Sequence, residues 1–296
     1  MPASGPSWPP RSVLGGWSTM ADHRRTIALT TVLAALVLVS TVAAPMASAR
    51  PAHEIPVRDV SDANLAEPTA DGWEEVPASD VPLSSAPSSV PNADDTTVET
   101  VDVQAVRTDQ RLYVRLEWQD ATRDMNANST REFADAVAVQ FPANTSSRPP
   151  IAMGGPDNRV NVWYWSGATG TQELLAGGAG STTPFQNPAV EANATHQGTG
   201  GNATWTVVYS RSLEAPSENR TDLRTDGDLD VSFAVWNGSN GERSGQKAVS
   251  EWHYYPFGGG PEGPPYETLL WTVAGIAIVA VIGVTSFGIY RTRGAE

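Results

Sequence analysis

No cysteine occurs in the 296 residues, which removes disulfides, thiolate nucleophiles, cysteine-ligated iron–sulfur clusters and covalently attached c-type haem. Lysine is nearly absent too: Lys247 stands alone against eighteen arginines. Acidic residues outnumber basic ones 33 to 19, a net charge of −14, so a nucleic-acid backbone finds no basic footprint and that partner class is excluded. With heavy Ala, Gly and Thr usage, the skew points to a GC-rich, salt-adapted organism such as a haloarchaeon. A phosphate-cradling loop is also lacking, since Gly177-Gly-Ala-Gly180 and Gly258-Gly-Gly260 have no flanking strand and helix. No Ser/His/Asp grouping with a nucleophile elbow occurs, and the plentiful carboxylates of such a chain read as solvated surface charge.

The ends of the chain carry targeting signals. Residues 1–49 read as a leader, with Met20 suiting a translation start. Arg24-Arg25 precedes an apolar run and an Ala47-Ser48-Ala49 cleavage site. The paired arginines suit twin-arginine export, although an ordinary secretory signal carries basic residues there as well. Residues 269–290 hold no charge and are long enough to span a bilayer. Arg291 and Arg293 follow that run while Glu262 and Glu267 precede it, which puts the tail 291–296 in the cytoplasm and the domain outside. The expected localisation is the cell membrane, single-pass. Six N-x-[ST] sequons, at Asn128, Asn144, Asn193, Asn202, Asn219 and Asn237, fit an extracytoplasmic domain.

Between these ends, 50–95 is rich in Pro, Ser and acidic residues without periodicity, so a disordered lead-in is expected, anchored at Trp73. Residues 257–268 read as a Gly/Pro linker. The remaining 96–256 alternates with period 2, as in 98–106, 112–118, 133–141, 160–165, 203–209 and 229–236, each run bounded by turn residues. The fold class expected is all-β, one β-sandwich domain with few short helices. A helical turn is allowed within 214–224 and at 173–175.

With cysteine gone, a metal must be held by His, Met, Lys, carboxylate or backbone. Past the leader, the first three types reduce to His53, His196, His253, Met125, Met153 and Lys247. Met153 stands beside Gly154, where a backbone or flat ligand can come close; the competing reading is a loop methionine filling a gap. Lys247 reads ordinarily as a solvated amine. A chain that prefers arginine so strongly keeps lysine where arginine cannot serve, namely where the side chain must become a neutral nitrogen donor.

The runs Asp135–Pro142, Met153-Gly154-Gly155, Val162–Trp165, Trp205–Val208, Val231–Trp236 and Lys247–His253 together resemble the haem b-binding γ subunit of ethylbenzene dehydrogenase. Relatives of that subunit serve dimethyl sulfide dehydrogenase, chlorate and selenate reductases and haloarchaeal nitrate reductases, complexes of the DMSO reductase family. The resemblance covers about 98–256. It implies a haem b ligated axially by methionine and lysine, which maps onto Met153 and Lys247. Trp163, Trp165, Trp236 and Trp252, with neighbouring tyrosines, would supply the pocket walls, and His253 is a competing ligand. The implied role is non-catalytic electron transfer with iron–sulfur and molybdopterin subunits and a quinone-linked or soluble electron carrier. A soluble γ subunit lacks the carboxy-terminal span, which is where this sequence departs from the pattern. The alternative function is a surface-anchored carbohydrate-binding or adhesion sandwich, with exposed Trp163, Trp165 and Trp252 stacking on sugar rings.

Overall fold

Strand periodicity becomes two sheets that face each other across one apolar core. The computed structural model describes residues 53–257. In chain order these form β1 (Val57–Asp59), β2 (Ser79–Pro82), β3 (Ser84–Ser85), β4 (Thr100–Arg107), β5 (Arg111–Gln119), β6 (Ala136–Pro142) and β7 (Val160–Ser166). There follow β8 (Gly170–Ala176), β9 (Thr183–Pro184), β10 (Glu191–Gln197), β11 (Thr204–Ser212), β12 (Asp228–Trp236), β13 (Ala248–Val249) and β14 (His253–Pro256). The first sheet runs β1-β4-β5-β11-β10, with β2 also on β4; the second runs β3-β13-β12-β6-β7-β8-β9, with β14 also on β12. Apart from the parallel β1–β4 pair, the pairings are antiparallel. Helix among the described residues is confined to three short 3₁₀ turns, so the all-β expectation holds.

Alternation decides which residues reach the core. Val101, Val103, Leu112, Val114, Leu116, Trp118, Val207 and Tyr209 point from the first sheet towards Val137, Val139, Phe141, Trp163, Val231, Phe233 and Val235 of the second. The Tyr209 hydroxyl crosses the gap to donate to the Val137 carbonyl at 2.7 Å. The fully buried arginine and glutamate inside lie together. Arg211 lies wholly buried over the Trp163 ring, 5.2 Å from its centroid, with Glu173 beside it, also wholly buried. Residues 173–175, where a helical turn is allowed by sequence, are strand in β8, because Glu173 must point inward to meet Arg211 and Arg220. Residues 214–224 form turns and extended chain without helix.

The segment 50–95 departs from expectation. From His53 onward it is built into both sheets rather than disordered. Ile55 is fully buried in the main core, while Leu65, Trp73 and Val76 plug the outer face of the first sheet against Val106, Tyr113 and Val208. Gln104 donates to the carbonyls of Trp73 and Val76 at 2.9 and 2.6 Å, which ties the segment to β4. Its apolar residues show no period because each fills a separate gap, and Pro confines its strands to short edge pieces. The folded unit therefore includes the chain from His53 onward rather than starting at 96. The leader, most of the linker, the candidate span at 269–290 and the tail lie outside the described residues. Among the described residues no helix is long and apolar enough to cross a membrane.

Candidate cofactor site

The outer face of the second sheet is largely apolar where a solvated sandwich face would be mostly polar. Across β12, β6, β7 and β8, register lines up Ser232–Gln140–Val162–Leu174, then Ala234–Ala138–Tyr164–Gln172, then Trp236–Ala136–Ser166–Gly170. All of these except Gly170 line one cavity of about 950 Å³, at the upper end of the range for cofactor pockets, about 300–1,000 Å³. Alanines at the centre keep the floor low, which leaves room above the sheet. The walls are chain from 84–90, 133–134, 151–153 and 242–251.

Met153 comes from the β6–β7 connection, and its loop is fixed by backbone bonds. Gly154 N–H donates to the Pro150 carbonyl at 2.9 Å, Gly155 and Asn158 exchange bonds of 2.9 and 3.1 Å, and Gly178 N–H donates to the Met153 carbonyl at 2.9 Å. Met153 and Gly154 are both left-handed, with φ of 64° and 74°. At Met153 that conformation costs of order 1 kcal/mol, held in place by the surrounding bonds. A Cβ on Gly154 would stand 2.6 Å from the Asn158 carbonyl oxygen, so glycine is required there.

Lys247 comes from the connection between β12 and β13. Asn237 starts that loop by accepting from the N–H groups of Ser239 and Asn240 at 3.0 and 3.3 Å. The buried Glu242 carboxylate accepts from Thr97, Asn237 and Asn240. Trp236 Nε1 donates to the Ser244 carbonyl at 3.2 Å. Lys247 Nζ then reaches 3.7 Å from Met153 Sδ and 5.0 Å from the Trp236 ring centroid. Burial alone pushes its amine from 10.5 down to about 8. Together Met153 and Lys247 offer one thioether sulfur and one amine nitrogen, a donor set that would suit a first-row transition metal.

The other sequence-derived candidates separate by strand parity. Trp236 lines the cavity, edge-on to Tyr164 with centroids 5.6 Å apart. Trp252 is buried behind the methionine loop with Val160 and Val162, and its Nε1 donates to the Pro149 carbonyl at 3.1 Å. Trp163 and Trp165 are not walls: they point to the other face, into the inter-sheet core against Tyr209 and Trp205. His253 is opposite Val231 in register, a core residue, and packs on His53 and Phe233 away from the cavity. Ala136, Ala138, Ala234, Gln140 and Arg243 also line the cavity; sequence reading missed them, and only cross-strand register identifies the alanines as a floor.

A sequence profile described as Ethylbenzene dehydrogenase matches residues 70–188 and 183–248. A Haloferax mediterranei protein with the provisional name respiratory nitrate reductase heme subunit ORF7 is 50% identical over 278 residues, 94% of this chain and 99% of its own length. The chlorate reductase subunit gamma of Ideonella dechloratans is 36% identical over 67% of this chain and 82% of its own. The dimethylsulfide dehydrogenase subunit gamma of Rhodovulum sulfidophilum is 33% identical over 60% and 69%. A family 9 carbohydrate-binding module from Caldicellulosiruptor kristjanssonii superposes over 69% of this chain and 94% of its own at 15% identity, with a TM-score of 0.41, too loose to bear on function. With a profile match that runs through both Met153 and Lys247, and relatives alike over most of their length, the chain belongs to the ethylbenzene dehydrogenase family.

Proposed function

We propose that this chain is a non-catalytic electron-transfer subunit that holds one haem b between Met153 and Lys247 and exchanges single electrons with the iron–sulfur subunit of a molybdenum oxidoreductase. The observation that carries the reading is the convergence of Met153 Sδ and Lys247 Nζ at 3.7 Å over an apolar cavity of about 950 Å³. The donor set fits the group. A thioether favours ferrous iron, and a neutral amine is a strong σ donor. An amine brought down to about 8 by burial needs only about 1.4 kcal/mol more to stand neutral at pH 7. Without cysteine the group is held by ligation and packing alone, hence b-type. Bound haem supplies one-electron chemistry, and two protein ligands leave its iron no open position for substrate.

The names of the relatives support a place as one subunit of an oxidoreductase complex, the family resemblance adds molybdopterin and iron–sulfur subunits as its partners, and the 50% identical relative favours nitrate as the substrate of the complex. A leader at 1–49 and a span at 269–290 would tether the domain on the extracytoplasmic face of the cell membrane, near quinone-linked or soluble carriers. The carbohydrate-binding alternative needs exposed Trp163, Trp165 and Trp252, which are 0%, 6% and 8% exposed.

The test is an absorbance spectrum of the purified full-length protein supplied with haem. The expected result is a low-spin b-type spectrum, with the haem extractable by acidic organic solvent. A folded chain that takes up no haem ends this reading.

A further inference from the structure

Resting on the haem reading, we infer that Arg243 binds the carboxylate end of the macrocycle, its propionates, and so fixes which edge of the haem lies at the Arg243 rim. Arg243 and Lys247 are the two cationic side chains lining the cavity, and both sit on the loop that follows β12. They have different partners. Lys247 points at a thioether over the apolar floor, whereas Arg243 is exposed at the rim with its Cζ 4.5 Å from the Phe133 ring centroid.

The loop sets this separation. Gln246 N–H donates to the Arg243 carbonyl at 2.9 Å, closing a tight turn over Ser244 and Gly245, with Ser244 left-handed at φ 52°. Gly245 packs so closely on Ser88 that a Cβ would come within 2.2 Å of its Oγ, which seats the turn against the opposite wall. Arg243 is thus held at the rim by a turn and a ring.

Its hydrogen bonding is unfinished. Nη1 donates to the Gly241 carbonyl at 2.9 Å; among the described residues the guanidinium's other N–H groups have no acceptor and no carboxylate lies within salt-bridge distance. In a chain with 33 acidic residues, an arginine beside a cavity and without an acid is available to one. Of the two carboxylates lining the cavity, Glu242 is buried and saturated by Thr97, Asn237 and Asn240, and Glu251 is exposed. A planar ligand with an apolar body and paired carboxylates matches this layout: the body meets alanine, valine, leucine and tyrosine, and the acids meet a guanidinium fork.

The test compares haem with its dimethyl ester, which has the same ring and iron but no carboxylates. Full-length protein and its Arg243→Gln variant are titrated with each, and dissociation constants are read from the Soret band. Wild type is expected to prefer haem over the ester, and Arg243→Gln to lose roughly tenfold or more in haem affinity while binding the ester as wild type does. The discrimination between the two ligands, not affinity itself, is the readout that a purely structural arginine would not move. Equal losses for haem and ester, or no loss for either, overturn the assignment of Arg243 and leave the haem reading intact. Failure of wild type to bind either ligand overturns the haem reading itself.

Discussion

The backbone N–H of Ala86 donates to the carbonyl of Lys247 at 2.9 Å. Alongside it, β3 pairs with β13, and the Asp95 backbone carbonyl accepts from the Asn240 and Gln246 side chains at 3.1 and 3.0 Å. The composition-biased segment before 96 is therefore part of the scaffold for the candidate lysine ligand. A chain beginning at residue 96 should lose cooperative urea unfolding and haem uptake together, while one beginning at Arg50 keeps both. A chain starting at 96 that unfolds cooperatively and takes up haem as the longer one does would show this clasp to be dispensable.

Arginine cannot replace lysine as a ligand, since guanidinium has no lone pair to offer at neutral pH. Lys247→Arg is expected to lose the low-spin spectrum or the haem itself. His253→Gln should leave the spectrum nearly unchanged, because His253 faces the inter-sheet core with Val231 and Phe233. The reverse pattern of spectra would transfer the ligand to histidine.

Gly154→Ala tests whether the methionine loop is preset. The added Cβ meets the Asn158 carbonyl at 2.6 Å in a left-handed position, a strain of order 1–3 kcal/mol. The Gly155–Asn158 bridge should open and Met153 lose its fixed aim. The expected outcome is haem affinity lowered by about tenfold or more with the sandwich still folded, read by parallel Soret titration and circular dichroism. Unchanged affinity would mean that the loop finds its place only on ligation.

Much of this architecture was legible. Strands β4, β5, β6, β7, β11 and β12 follow period 2, and the scarcity of lysine singled out Lys247. What alternation could not settle was facing. β6 and β7 are buried almost throughout, so Trp163 and Tyr164 look equivalent in sequence, and only pairing with β12 and β8 puts the tyrosine on the cavity and the tryptophan in the core. β8 and β10 escaped because they carry polar and small residues at half-exposed positions. The early segment escaped for a related reason: Ile55, Trp73 and Val81 each fill a distant gap, a long-range fact with no local period.

Asp135, just before β6, and Asp120, just after β5, form a buried acid pair, and their titration gives the domain a pH dependence of defined sign. Asp135 accepts from Trp205 Nε1, Asp124 N–H and Gly238 N–H at 2.9, 2.7 and 2.8 Å. Burial nonetheless lifts its pKa from 3.8 to about 6, against those donors and with help from the Asp120 charge. Burial lifts Asp120 as well, and its Oδ2 is buried without a partner among the described residues. The folded pair thus holds a proton that the unfolded chain releases near pH 4, so stability should grow as pH falls through about 6 and level off below about 4. Asp102, lifted to about 6 by burial and by Asp80, adds to the same slope. Asp120→Asn keeps the side chain's shape, removes one of the two charges, and puts an amide N–H where the shared proton stood. Full-length protein with that substitution should gain of order 1 kcal/mol at pH 7.5 by urea unfolding, gain little at pH 4.5, and show a flatter profile between them. A variant less stable than wild type at pH 7.5, or one with an unaltered slope, would show that the pair does not share a proton in the folded state.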